Sequence, residues 1–248
     1  MNVSSDVYFS IITVCYNAER AIKETIESVL LQEWKKFEYI IVDGASTDST
    51  VDIVRQYAAA DNRIEWHSEP DSGIFNAMNR GIMRASGDYI MFMNAGDSFY
   101  DGAVLSNMAK QIKEHGNAIY YGQACLMKNG KCKGINKNLS EQGCLRYNTL
   151  MKGFMPIHQS IAAPLYILKK HCFNEEYKIR ADYDWLLRCC KDRIRLVNLN
   201  IVVCKYDNSG ISARAKYKKI MNKETQMIRR RNFPILGRIY GIIDMAHQ

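Results

Sequence analysis

The chain has 248 residues, 47% hydrophobic and 24% charged, with a formal net charge of +8. That is ordinary for a soluble globular protein, enough chain for one large or two small domains whose core needs no covalent staples. Apolar runs stay far below the roughly 20 residues that span a bilayer, and MNVSSDVYFS has no basic flank before an apolar stretch, so a cytosolic protein is expected.

Eight cysteines suggest a disulfide framework, but Cys15 and Cys204 fall inside strand-like runs, Cys189 and Cys190 are adjacent on a helical pattern, and no C-x-x-C occurs. Reduced, structural thiols are expected. Residues 201–248 carry ten Lys or Arg against three Asp or Glu, so most of the net charge lies there and the first 200 residues are nearly neutral.

In chain order, VYFSIITVCY reads as a strand, about 19–32 as a helix, FEYIIVD as a strand, about 47–60 as a helix and RIEWHS as a strand. A helix at about 73–85, the strand YIMFMN, a helix at about 103–114 and the strand AIYYG follow. This alternation predicts an α/β fold with a mostly parallel sheet covered by helices on both faces, its ligands gathering beyond the carboxyl ends of the strands. After about residue 122 the rhythm breaks. Residues 123–147 read as hairpin or loop, 165–172 and 182–192 as helices, RLVNLNIVVCKY as a strand, and 212–248 as two basic amphipathic helices parted by Asn232-Phe233-Pro234.

Two strand ends concentrate the chemistry. Asp43 closes the second strand, followed by Gly44 and by Ser46, Thr47 and Asp48, any of which can cap a helix; the carboxylate suits a ribose or base N–H, or simply starts a turn. No G-x-G-x-x-G follows the first strand, so this is not a dinucleotide site of the usual kind. The fourth strand runs into Asn94-Ala95-Gly96-Asp97. Gly96 lets the chain turn so that Asp97 and Asn94 face one point, which suits a hard cation such as Mg²⁺ or Mn²⁺, or forms a plain turn.

IITVCYN, VDGASTDST, DSGIFNAMNRGI, ASGDYIMFMNAGD, HQS and ADYDWLLR occur in the order and at the spacing that resemble family 2 glycosyltransferases, inverting enzymes of GT-A fold, and most resemble the branch that builds bacterial surface polysaccharides. The resemblance covers residues 8 to about 212. It implies a Rossmann-like nucleotide-binding domain over 1–211, with a nucleotide-sugar half to about 122 and an acceptor half beyond, and a basic tail over 212–248. It also implies a nucleoside diphosphate sugar donor near Thr13, Tyr16, Asn17, Asp43, Ser46, Asp71, Gly73, Asn79, Asn94 and Ala95. Ala77 and Gly81 belong to the same helical pattern, where packing explains them equally well.

The family's D-x-D metal motif reads Asn94-Ala95-Gly96-Asp97 here, leaving Asp97 as the one carboxylate for a divalent cation (Mn²⁺ or Mg²⁺). The resemblance aligns Asp182 with the general base, Asp184 being the alternative, and places His158 and Gln159 on the acceptor and diphosphate side. A residue opening a helix can equally serve Asp182 as a cap. Asn208 to Ser212 match a glycine-containing loop late in the family domain. The basic tail suits either an anionic membrane surface at the inner face of the plasma membrane, bringing the enzyme to a lipid-linked saccharide acceptor, or a helix docked on the domain. After residue 212 only Tyr217, Phe233 and Tyr240 are aromatic, which speaks against nucleic acid as a partner. An inactive sugar-nucleotide-binding domain is the alternative function.

Overall fold

The computed structural model describes residues 6–128, 130–136, 145, 147–207 and 217–234. Its first half is β1 (Phe9–Cys15), α1 (Ile22–Leu30), β2 (Phe37–Asp43), α2 (Thr50–Ala60), β3 (Ile64–Ser68), α3 (Ile74–Arg84) and β4 (Tyr89–Phe92). There follow β5 (Ser98–Phe99), α4 (Val104–His115), β6 (Ile119–Lys128), β7 (Lys131–Ile135), α5 (Tyr147–Met151), a 3₁₀ turn at His158–Ser160 and β8 (Ile161–Pro164). The last elements are α6 (Leu165–Lys170), α7 (Ala181–Lys191), β9 (Leu196–Asp207) and α8 (Lys218–Asn232).

One sheet has the order β3-β2-β1-β4-β8-β6-β9-β5, with β7 pairing β6. The stretch β3-β2-β1-β4 is parallel throughout, so β1, β2 and β4 deliver their carboxyl ends to one rim. Beyond it β8 runs antiparallel to both β4 and β6, while β6 and β9 are parallel. The sequence pattern did not reveal β5, β8 or α5. They are short, and β5 and β8 are defined by partners far along the chain: Phe99 opposite Cys204, Ile90 opposite Ala163.

Alternation along the strands supplies two cores. Ile12, Val14, Ile40, Val42, Ile90 and Phe92 face one side, where Met78, Ile82, Trp185 and Leu186 cover them. Phe9, Ile11, Tyr39, Ile41, Met91 and Met93 face the other, beneath Ile22, Ile26, Leu105 and Met108. A sheet buried on both faces requires the near-continuous apolar strands seen in the sequence.

The first two helices start three residues later than their periodicity suggests. The preceding N–H groups are spent between loops: Asn17 N on Ser46 Oγ (2.8 Å), Ala18 N on Thr50 Oγ1 (2.8 Å), Thr47 N on Asn17 Oδ1 (2.8 Å) and Ser49 N on Glu19 Oε2 (3.1 Å). The expected hairpin forms as β6 and β7, and Cys125 and Cys132 are bonded across it, their Cα atoms 6.1 Å apart. That corrects the expectation of reduced thiols for this pair: the hairpin register folds together two residues whose spacing carries no motif. Cys15, Cys172, Cys189, Cys190 and Cys204 are free.

The first of the two expected basic helices is α8. Its inner face is mostly polar, burying Glu224, Thr225, Ile228, Arg229 and Asn232. The second helix and the loop over 208–212 lie outside the described residues. Among the described residues no helix is long and apolar enough to cross a membrane.

Helix α3 lies directly on β1. A Cβ on Gly81 would stand 2.6 Å from Ile12 Cγ2, inside a core that has no room to yield. Gly81→Ala should therefore lower stability by about 1–3 kcal/mol despite its better helix propensity, read as an earlier urea midpoint at unchanged slope.

Candidate active site

The loops after β1 and β2 are stitched into one surface around Asp43. This carboxylate is 1% exposed and accepts bonds from Ser46 N (2.9 Å), the Ser46 hydroxyl and Ser68 Oγ (2.6 Å). Ser46 Oγ in turn receives Asn17 N. Asn17 (φ 47°) and Ala45 (φ 61°) both adopt left-handed backbone, which asparagine tolerates but which strains alanine, and such strain is common at ligand-binding loops. Gly44 is needed because a Cβ there would fall 2.5 Å from Asp71 Oδ2 and 3.4 Å from the Tyr16 ring. Asp71 Oδ1 accepts Gly73 N (2.8 Å), and Gly73 (φ 137°) opens α3 in a conformation that only glycine adopts readily. Tyr16, 64% exposed, leaves its ring open to solvent beside these groups.

Two residues expected on the donor face point elsewhere. Thr13 is fully buried within the sheet, donating to Met93 O (2.6 Å) and pairing with Tyr39 OH (2.8 Å), because its place in β1 turns it inward. Asn79 uses both ends of its amide on the 173–175 segment: Nδ2 to Phe173 O (2.9 Å) and Glu175 Oε1 (2.7 Å), Oδ1 from Phe173 N (2.9 Å). It joins α3 to the second half of the chain.

The tip of β4 is a tight turn closed by Asp97 N on Asn94 O (2.9 Å), with Gly96 at φ 99°. Thr25 of α1 grips it from both sides, receiving Gly96 N (3.0 Å) and donating to Asp97 O (2.8 Å). Ala95 N bonds Val14 O (3.3 Å), keeping the turn beside β1. Asp97 is 6% exposed; Oδ1 accepts Asp207 N (2.9 Å) and Oδ2 accepts the Gln159 amide. From the same turn, Asn94 Nδ2 meets His158 Nε2 (2.9 Å), and His158 Nδ1 stands 3.6 Å from Asp182 Oδ2. With Asn94 as donor, Nδ1 carries the imidazole proton and faces that carboxylate.

Of the two acids opening α7, Asp182 keeps its side chain 17% exposed and, among the described residues, bonds only its neighbour's N–H, Tyr183 N to Oδ1 at 2.7 Å, besides facing His158. Asp184 is 3% exposed, with Oδ2 on Arg188 Nε (2.8 Å) and Oδ1 on Asn232 Nδ2 (3.0 Å). Asp182 is not the helix N-cap; Arg180 occupies that place without a side-chain cap bond. Asp43 is the last residue of β2, and Asp97 lies beyond the turn that follows β4; β2 and β4 are the strands that flank β1.

The model of glycosyl transferase family 2 matches residues 10–159. The chain belongs to this family. A PGL/p-HBAD biosynthesis glycosyltransferase from Mycobacterium bovis is 29% identical over 211 residues, covering 82% of this chain and 77% of that protein. A stretch of 91 residues, 36% of each chain, is 43% identical to the putative teichuronic acid biosynthesis glycosyltransferase TuaG of Bacillus subtilis. The fold matches that of S. aureus TarS 1-349 in complex with UDP-GlcNAc, with a TM-score of 0.73 at 19% identity over 90% of this chain; the chain spans 66% of that structure's length.

For the cation that the family resemblance implies, the donor set is poor. Asp97 has both oxygens on protein donors, and among the described residues no group of three or more His, Cys, Asp or Glu could hold a metal. These residues do not fit a cation held by this family 2 chain alone. The neighbouring acceptors are neutral: Asn94 Oδ1 and Gln159 Oε1 are buried with no hydrogen-bond partner among the described residues. Sequence reasoning missed Ser68, Thr25, Glu175 and Glu224, whose roles depend on contacts with distant segments. Ser68 alone had a signal, as the last residue of a strand paired beside Asp43.

Burial raises the Asp97 carboxyl to about pH 6 from 3.8, against hydrogen bonds from Asp207 N and Gln159 and the nearby His158, all of which favour the ionised form. A raised acid stabilises the fold below its unfolded value and loses that contribution as pH climbs to 6, a change of about 3 kcal/mol. Asp97→Asn should remove this slope. Relative to the parent, the variant gains stability between pH 4 and 7 in urea titrations, with Gln159 Oε1 free to accept the new amide.

Proposed function

We propose that this chain transfers a sugar from a nucleoside diphosphate sugar to an acceptor hydroxyl with inversion. The observation that carries the reading is Asp182: of the two acids opening α7 it is the one whose carboxylate is left partly exposed, beside His158. The acceptor oxygen attacks the anomeric carbon and passes its proton to Asp182, while the bond to the nucleoside diphosphate breaks and its electron pair leaves with the phosphate oxygen. A single displacement inverts the configuration. His158 Nδ1–H holds the carboxylate toward the acceptor.

The donor's base stacks on the Tyr16 ring over the loops braced by Asp43 and Ser46. Its diphosphate lies toward the start of α3, where the helix dipole favours anions. Hydroxyls of the sugar donate to the unpartnered oxygens of Asn94 and Gln159. A divalent cation, Mn²⁺ or Mg²⁺, would have to come with the donor's phosphates and be held mainly by them, since Asp97 has both oxygens on protein donors. A second reading, binding without transfer, draws on that lone and fully engaged carboxylate.

Asp182→Asn should lower kcat at least about 100-fold while leaving donor affinity within twofold, measured after a thermal-shift screen of nucleotide sugars has named the donor. Asp184→Asn should instead lower the melting temperature by disturbing Arg188 and Asn232. Transfer that persists in Asp182→Asn refutes the assignment, and parent protein that binds a donor without turning it over favours the second reading.

The acceptor is a saccharide of a cell-surface glycan, carried on lipid at the cytoplasmic face of the membrane. Helix α8 turns Lys218, Lys219, Lys223, Arg230 and Arg231 outward, a face suited to anionic headgroups. Co-sedimentation with phosphatidylglycerol-containing vesicles at low salt is expected, lost above roughly 0.5 M salt or when these five become Gln. Equal recovery with neutral vesicles would count against the membrane reading.

A further inference from the structure

We infer that Glu224 of α8 is a positioning residue for Asp182, so that the basic C-terminal helix completes the site; the inference rests on Asp182 as base. Helix α7 begins without a side-chain cap of its own. The N–H groups leading into it all turn to one carboxylate: Lys178 N to Glu224 Oε1 (2.8 Å), and Ile179 N and Arg180 N to Glu224 Oε2 (3.0 Å each). Glu224 is 7% exposed, and its negative charge lies at the helix end whose dipole favours it.

Other bonds from α8 bracket the same residue. Thr225 Oγ1 receives Arg180 Nε (3.2 Å), Arg229 Nε reaches Tyr183 OH (3.1 Å), and Asn232 Nδ2 reaches Asp184 Oδ1 (3.0 Å). The backbone is thus held at 178–180 and side chains at 183 and 184. Among the described residues α8 makes no hydrogen bond to Asp182 itself, whose carboxylate stays with His158. A carboxylate that accepts three consecutive amide protons cannot be replaced by an amide without leaving donors unpaired. The entry to α7 would then shift, and Asp182 with it.

The ring resonances of His158, assigned with His158→Gln and read at fixed pH, report on Asp182 without any substrate. Glu224→Gln should move them toward their position in Asp182→Asn. In an Asp182→Asn background the same substitution should move them less than a third as far, because the effect travels through Asp182. Turnover, read as nucleoside diphosphate release from UDP-GlcNAc, should fall at least tenfold in kcat with KM changed less than twofold, and Glu224→Asp should restore part of it. If Glu224→Gln does not fold, Glu224→Asp is compared with the parent by the same measurements. Unmoved His158 resonances in a folded variant, or equal shifts in both backgrounds, overturn the inference. Undiminished turnover in Asp182→Asn would instead refute the base assignment, leaving the resonances to judge the positioning.

Discussion

One buried carboxylate joins the two halves of this molecule. Asp97 follows the last strand of the parallel stretch β3-β2-β1-β4, and its oxygens accept Asp207 N at the end of β9 and the amide of Gln159 before β8. The same turn sends Asn94 to His158, and His158 stands beside Asp182. The loops suited to a nucleotide belong to β1 and β2, whereas the base candidate belongs to α7. The distance between them is set by how the antiparallel strands dock on this turn, and Thr25 of α1 holds the turn from behind.

The cost of such a joint explains its construction. Removing a carboxylate from water is unfavourable unless its lone pairs meet donors in good geometry. Asp43, Asp97, Asp184 and Glu224 all meet that condition, each with at least two donors from the protein. Their rigidity follows from the same bonds. An acid at a strand end is therefore not by that fact a ligand or a base: Asp43 and Asp97 serve as braces, whereas Asp182 keeps a partly exposed carboxylate beside His158.

The sequence was legible where the signal was local. FEYIIVD forms β2 over Phe37–Asp43 as read, since a strand buried on both faces is a continuous apolar run. The order of motifs pointed to the family, and Asp182 and Asp184 were both in view on α7. What could not be read depends on partners far along the chain. Thr13 looks like a rim residue until its inward direction in β1 is known, and Asn79 until the 173–175 segment arrives. Glu224 sits in a basic run where a lone acid resembles an ordinary surface charge, and only the folded chain shows it beneath three amides 44 to 46 residues away.

The polar inner face of α8 has a mechanical consequence. An amphipathic helix that docks through Leu and Ile can slide by a fraction of a turn and recover most of its burial, because apolar contact is not directional. Hydrogen bonds are directional, and a shift that breaks one leaves a buried donor or acceptor unpaired. With Glu224, Thr225, Arg229 and Asn232 on the buried side, α8 has one register on α7, while its lysines and arginines project outward. Burial of Ile228 adds adhesion, but the polar set determines where the helix sits, and through α7 where Asp182 sits. A larger apolar contact would bury more area but would leave that register free to slide.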